Sequence, residues 1–364
     1  MHLAGRLLAL LVLLLAPTGL ACATPMLLVD MTNAQVLYED DAGVAWHPAS
    51  LTKMMTAYVA FEAIAQGRVS LDTPVIISKN AINQAPSKSG LKVGAAVSMK
   101  DALYIMLVKS ANDVSVAIAE TVSGSTKAFV GEMNNTAAEL GMTGSHFVNP
   151  NGLHAEAQVM TARDMAVLAL FIRQNHPQYL PIFGTEMVQL GKAKLESNNE
   201  LLLRFAGTTG MKTGFVCASG LNIVATVERD GRQLLAVTLG ASSARERNEL
   251  TAQLVLRALS GQLGGQGKTV LDIANRAGAP TNMRSLICGK EAKAYVAERE
   301  AEFPLGMKGQ PSYLNDQIDG LVYRATDLGQ LRNVPLPRPR PDSLIGGLRP
   351  PLQPVANLGA ITLR

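Results

Sequence analysis

Cysteine is scarce, at three residues in a chain of 364. That is too few for a disulfide scaffold, and no C-x-x-C or H-E-x-x-H spacing suggests a metal site, so neither metal nor other cofactor is expected. Histidine is thin as well, at five, and none has a triad-like companion. Charged residues make up 17% and the formal net charge is only +4. Without a dense basic run there is no footing for a nucleic-acid partner. What is abundant is apolar: 48% of the residues, enough to bury a full core in one large domain or two smaller ones.

The N-terminus combines MHLAGR, the ten-residue apolar run LLALLVLLLA and ACA before Thr24. These are the n-region, h-region and A-x-A cleavage pattern of a secretory signal peptide over residues 1–23, and the run is short for a membrane anchor. Gly19 stands where a lipoprotein signal ending at Cys22 wants an aliphatic residue. The expected product is a soluble periplasmic protein starting at Thr24 in an oxidising compartment. Two cysteines are then left, Cys217 and Cys288. A bridge between them and two unpaired buried thiols both fit the sequence.

Along the mature chain, MLLVDM and AQVLYED around Thr32-Asn33 read as a β-hairpin. HPASLTKMMTAYVAFEAIAQG (47–67) reads as an amphipathic helix with a proline entry and a glycine exit. Residues 68 to about 180 are mostly helical in pattern, with two helices around a Ser-Ala-Asn break and another over STKAFVGEMNNTAAELGM. LNIVATVERDGRQLLAVTLG reads as two strands turned at Arg229-Asp230-Gly231, and SARERNELTAQLVLRALS as the closing helix. A sheet begun at the N-terminus and completed near residue 240 thus encloses a helical insertion. The prediction is an α/β (α+β) fold whose ligand cleft lies between sheet and lobe.

This unit spans 24–262. Beyond it, GQLGGQGKTV (261–270) reads as a flexible linker leading into a partly helical extension over 263–330. Its G-K-T is no P-loop, since Gln262 replaces the first glycine and no strand precedes it. Residues 290–302 suggest a charged helix. The last thirty residues hold seven of the eighteen prolines, so 331–364 reads as an extended or disordered tail.

The chemistry lies in three short pieces. Ser50-Leu51-Thr52-Lys53 is an S-x-x-K, a spacing that on a helix puts hydroxyl and amine on neighbouring turns of one face. Lysine can activate serine only when neutral, so its pKa must fall from ~10.4 towards the working pH. Apolar surroundings and a second nearby lysine would both push it down. Downstream stand Ser110-Ala111-Asn112, an S-x-N in an apolar helical region, and Lys212-Thr213-Gly214, a K-T-G before the β-hairpin. Competing copies, Ser89-Gly90-Leu91-Lys92 and Ser197-Asn198-Asn199, sit in polar stretches that read as loop. Singly, Lys53 could be a snorkelling lysine, Ser110 a helix cap and Lys212 an edge charge. In this order together they are a specific signal.

With these motifs the chain resembles the serine-type D-alanyl-D-alanine carboxypeptidases, the low-molecular-mass penicillin-binding proteins. PASLTKMMT, LVKSANDVSVAIAE, MKTG and ELGMTGSHFVNPNGLHAEAQVMTARDMAVLA carry the likeness over roughly 24–260. The resemblance implies an antiparallel sheet with helices on both faces and an inserted helical lobe, the β-lactamase/transpeptidase-like fold. It implies that Ser50 attacks the peptide bond between two D-alanines of peptidoglycan stem pentapeptides and forms an acyl-enzyme, with Lys53 as base. Ser110 would relay a proton to the leaving amine, and Asn112 would hold substrate and lysine. Lys212 and Thr213 would bind the terminal carboxylate, Gly214 would belong to the same substrate-binding edge, and the N–H groups of Ser50 and Phe215 would form the oxyanion hole. β-Lactams would acylate Ser50.

Two departures bear on substrate fit: Val216 where a threonine is frequent, and S-A-N where S-G-N is frequent. The β-rich second domain and amphipathic anchor common in the family are not recognisable after 260, which leaves peripheral membrane contact open. A D,D-endopeptidase would share every motif. A β-lactamase would need E-x-x-L-N, a pattern that the stretch Glu196-Ser197-Asn198-Asn199 does not make. A non-enzymatic binding protein would not need the intact triplet.

Overall fold

The structure, a computed structural model, describes residues 24–331. The expected signal peptide and nearly all of the proline-rich tail lie outside the described residues. The chain opens with β1 (Met26–Asp30) and β2 (Gln35–Asp40), then a 3-10 turn at Ala49–Leu51 runs straight into α1 (Thr52–Ala65). The insertion carries β3 (Pro74–Ile76), α2 (Lys79–Ile82), β4 (Ala96–Ser98), α3 (Met99–Val108), α4 (Asn112–Ser123), α5 (Thr126–Glu139), α6 (Ala162–Asn175) and α7 (Leu180–Phe183). Next come β5 (Thr185–Leu190), β6 (Ala193–Glu196), α8 (Leu201–Arg204), β7 (Thr208–Val216), β8 (Gly220–Arg229), β9 (Arg232–Ala241) and α9 (Ala244–Leu259). The extension adds α10 (Arg284–Cys288), α11 (Ala292–Glu302) and β10 (Leu321–Ala325).

The main sheet has the order β2-β1-β9-β8-β7, antiparallel throughout. The N-terminal hairpin is therefore joined to strands two hundred residues away, the sheet-interrupted-by-helices order expected. Asp230 and Gly231 both take positive φ (53° and 72°), as a two-residue turn between right-twisted strands requires. Alternation along β9 sorts the core into two layers. Leu235, Val237 and Leu239 face α1, α6 and the helical lobe, while Leu234 and Ala236 face Ala252, Val255 and Ala258 of α9.

Two expectations need correction. The stretch 47–67 is not an amphipathic surface helix: α1 is buried on nearly every side from Thr52 to Phe61, as a helix apolar all round must be. Its first turn is 3-10, so Ser50 precedes the α-helix. The inserted region is mostly helical, as expected, with the short pair β3 and β4 within it, and beyond it β5 pairs with both β6 and β10. The segment after 260 does not hang free. Gln266 and Val270 donate backbone hydrogen bonds to Val36 and Ala34, and Val36 donates to Lys268 at 3.0 Å. β2 is an edge strand with unpaired peptide groups, and this segment covers them. Further on, α11 occupies the charged stretch, Tyr323 stacks on Tyr104 at 3.5 Å and donates to Asp101 at 2.7 Å, and Ala96 N donates to Gly329 O at 2.9 Å.

Candidate active site

The turn bearing Ser50 is gripped from both sides of the molecule. Trp46 Nε1 donates to Ser219 O at 2.9 Å and Asn222 Nδ2 to His47 O at 3.0 Å, which fastens the approach to β8. Ala49 is held at φ 48°, a left-handed conformation that costs a non-glycine residue about 1–2 kcal/mol. Two glycines make room for it. A Cβ on Gly214 of β7 would lie 3.0 Å from Ser50 N, and one on Gly152 (φ 85°) would lie 1.9 Å from Ala49 O.

Lys53 follows on the first turn of α1, fully buried. Its Nζ lies 3.0 Å from Ser50 Oγ, 2.7 Å from Asn112 Oδ1 and 2.5 Å from the Asn151 carbonyl oxygen. Burial holds its pKa well below the ordinary lysine value; the nearby Lys212 charge adds to this and Asp113 opposes it. These are the two depressing influences that the sequence called for.

Ser110 sits in the break between α3 and α4 at φ 62°. Its buried Oγ has no hydrogen-bond partner among the described residues. Asn112 opens α4, with its backbone N–H on Ser87 O at 2.8 Å and its side-chain amide on Ala85 O at 3.4 Å. The structure thus brings Ser50, Lys53 and Asn112 into contact and links Lys53 electrostatically to Lys212.

On β7, the free edge of the sheet, Lys212 and Thr213 are buried and Phe215 is half exposed. Lys212 Nζ donates to Thr213 O at 2.9 Å. Burial, followed by the charge of Arg247, lowers its pKa to about 7. Arg247 was not found from sequence. Its guanidinium is buried, held by Asn248 Oδ1 at 2.9 Å and Asn198 O at 3.2 Å, with its pKa lowered by burial to about 10 against the pull of Glu200. Asn151 and Gln158 were missed too, although both lie within the stretch that carries the family likeness. Gln158 accepts from Val148 N and Asn149 N and donates to Thr52, fixing the loop whose carbonyl meets Lys53.

The competing motifs are used structurally. Ser89 donates to Asp113 at 2.7 Å, and the Asn198 carbonyl supports Arg247. Cys217 and Cys288 are bridged, with Cα atoms 5.6 Å apart, which pins α10 to the β7–β8 turn where Met283 N also donates to Ala218 O. Among the described residues no group of three or more His, Cys, Asp or Glu could hold a metal ion. No helix among them is long and apolar enough to cross a membrane.

Known proteins resemble the chain in sequence and in fold. A family described as D-alanyl-D-alanine carboxypeptidase matches residues 17–243, more than half of the chain. A D-alanyl-D-alanine carboxypeptidase of Escherichia coli is 34% identical over 251 residues, 64% of this chain and 63% of the relative. The chain therefore spans less than two thirds of that relative's length. The crystal structure of a D-alanyl-D-alanine carboxypeptidase from Francisella tularensis superposes with a TM-score of 0.63 at 30% identity, covering 66% of this chain and 70% of that one. Penicillin-binding protein D2 from Listeria monocytogenes, solved with bound cefotaxime, gives 0.57 at 31% identity, with 65% and 97% covered.

Proposed function

The chain belongs to the D-alanyl-D-alanine carboxypeptidase family, and from that footing we propose that it removes the terminal D-alanine of peptidoglycan stem pentapeptides through an acyl-enzyme on Ser50. The observation that carries this reading is the buried Lys53 Nζ, 3.0 Å from Ser50 Oγ and depressed in pKa by burial and by Lys212.

Attack of Ser50 Oγ on the penultimate carbonyl passes its proton to Lys53. The oxyanion forms against the N–H groups of Ser50 and Phe215, brought together by the close approach of Gly214 to Ser50 N. Ser110, whose hydroxyl is otherwise unengaged, hands a proton to the departing amine. Lys212, Thr213 and Arg247 receive the terminal carboxylate, and water then releases the shortened peptide. A β-lactam carries its own carboxylate and strained amide into the same positions, so it acylates Ser50. The N-terminal pattern supports export to the periplasm, where this substrate lies.

Mass spectrometry after incubation with penicillin tests the assignment, alongside D-alanine release from a D-Ala-D-Ala pentapeptide. Wild type gains one penicilloyl adduct and releases D-alanine; Ser50→Ala does neither, and Lys53→Ala is slower by roughly two to four orders of magnitude. Rapid penicillin turnover without an adduct would assign a β-lactamase instead. Cleavage confined to cross-linked peptides would assign an endopeptidase.

A further inference from the structure

The β7–β8 turn closes the end of the strand that carries the proposed oxyanion donor, and it is fastened from two sides. From within, Trp46 Nε1 donates to Ser219 O at 2.9 Å and Val216 N to Ser219 Oγ at 3.2 Å. From without, Met283 N donates to Ala218 O at 3.0 Å, and the Cys217–Cys288 bridge joins the turn to α10. Cys217 stands two residues after Phe215. Packing of its own side chain does little to hold Phe215, which is 51% exposed. β7 is also an outermost strand, and among the described residues no further strand flanks it.

α10 gives the bridge a firm seat. Met283, at the start of this helix, is fully buried in the main core, and a Cβ on Gly220 would lie 3.0 Å from its Sδ. Farther on, Arg299 pairs with Glu246 at 2.6 Å and Arg245 Nη1 donates to Phe303 O at 2.8 Å. The extension therefore stays docked through contacts that do not involve sulfur. Opening the bridge frees the turn without releasing the extension. The two halves of the bridge are unequally sheltered: Cys217 is half-buried, whereas Cys288 is exposed. Access helps decide which sulfur an incoming thiolate attacks.

We propose that the Cys217–Cys288 bridge is a positioning element of the reaction, holding the Phe215 N–H at the oxyanion position, and that its reversible reduction by a dithiol slows acylation. A thiolate of the dithiol attacks Cys288 Sγ, the sulfur–sulfur bond breaks, and Cys217 leaves as a thiolate that takes up a proton. The second thiol of the reductant then displaces Cys288 from the mixed disulfide. Two electrons reach the protein, and the reductant ends as a disulfide. The turn keeps its hydrogen bond from Met283 but loses its covalent tie. The part played by the Phe215 N–H rests on the acyl-enzyme reading; the hold of the bridge on the turn does not.

Three proteins test this: the oxidised chain, the chain reduced with dithiothreitol and then desalted under nitrogen, and the double variant Cys217→Ser with Cys288→Ser. Penicillin acylation of each is followed by mass spectrometry over a range of penicillin concentrations. Loss of a whole oxyanion donor costs about 10²–10³-fold, so a donor displaced part of the time should cost about tenfold in the limiting rate constant. The penicillin concentration giving half the limiting rate should not change, and every molecule should still take an adduct. Reoxidation should restore the rate, and the double variant should match the reduced protein and ignore the reductant. Trp46, the one tryptophan of the chain, touches the turn through Ser219, so its emission should change on reduction. Equal rate constants in oxidised and reduced protein, an unchanged Trp46 emission, or a fall that merely tracks loss of the folded far-UV circular dichroism would overturn the proposal. An oxidised protein that takes no adduct would instead sink the acyl-enzyme reading, and the positioning role with it.

Discussion

An ammonium has three donors and no acceptor, so a charged Lys53 would spend all three on Ser50, Asn112 and Asn151. A neutral amine has two donors and a lone pair, which lets the Ser50 hydroxyl donate to it, the arrangement that precedes proton transfer. Burial and Lys212 favour that neutral form. Lys212 itself, lowered to a pKa of about 7, would gain charge if a carboxylate bound beside it and Arg247, as proposed. Charged hydrogen bonds of this kind are worth about 1.5–3 kcal/mol. Lys212→Ala should therefore lower kcat/KM about 10- to 150-fold for a peptide ending in a free carboxylate, with little effect on its C-terminal amide; equal losses on both would remove the role. The serine–lysine pair was legible because its two residues lie within one turn of chain. Arg247 and the Asn151 carbonyl were not, because one belongs to no short motif and the other is a backbone group that every residue possesses.

The Ser50 turn depends on elements that share no sequence neighbourhood with it. α1 delivers Lys53, the loop at 149–152 closes beneath, and β7 closes on the other side. Gly152→Ala would put a methyl 1.9 Å from Ala49 O at a φ of 85°. It should destabilise the fold by roughly 2 kcal/mol or more and slow penicillin acylation; urea unfolding and adduct formation rates check both. Wild-type values in both measurements would mean that the turn does not need this glycine. The segment after 260 misled the sequence reading for a related reason. Its glycines and polar side chains look like a linker, but the hydrogen bonds it makes to β2 use main-chain groups, which composition does not report. The Cys217–Cys288 bridge fastens the same extension across 71 residues of separation, worth ~4 kcal/mol in the chain-entropy description.

For the whole molecule, two depressed lysines make stability depend on pH with a definite sign. Lys212 titrates near 7 when folded and near its ordinary 10.5 when unfolded, so between those values the unfolded chain binds more protons. Stability then rises with pH across that window, and the burial penalty is fully present below pH 7. Urea unfolding at pH 7, 8 and 9 should show a slope about 1.4 kcal/mol per pH unit smaller in Lys212→Met than in wild type. Parallel slopes would mean that Lys212 keeps its ordinary pKa. The sequence by itself determined that a sheet begun at the N-terminus encloses a mostly helical insertion, through hydrophobic patterning, and supplied the three local motifs on which the proposed reaction rests. It left open whether the two remaining cysteines pair. Only the tertiary structure decided that pairing, the course of the chain beyond 260, and the environment that lowers the pKa of Lys53. Asn112 and Asn151 reach that lysine from 59 and 98 residues away. Desolvation and electric field depend on what surrounds a group in space, and a short stretch of chain does not contain its surroundings.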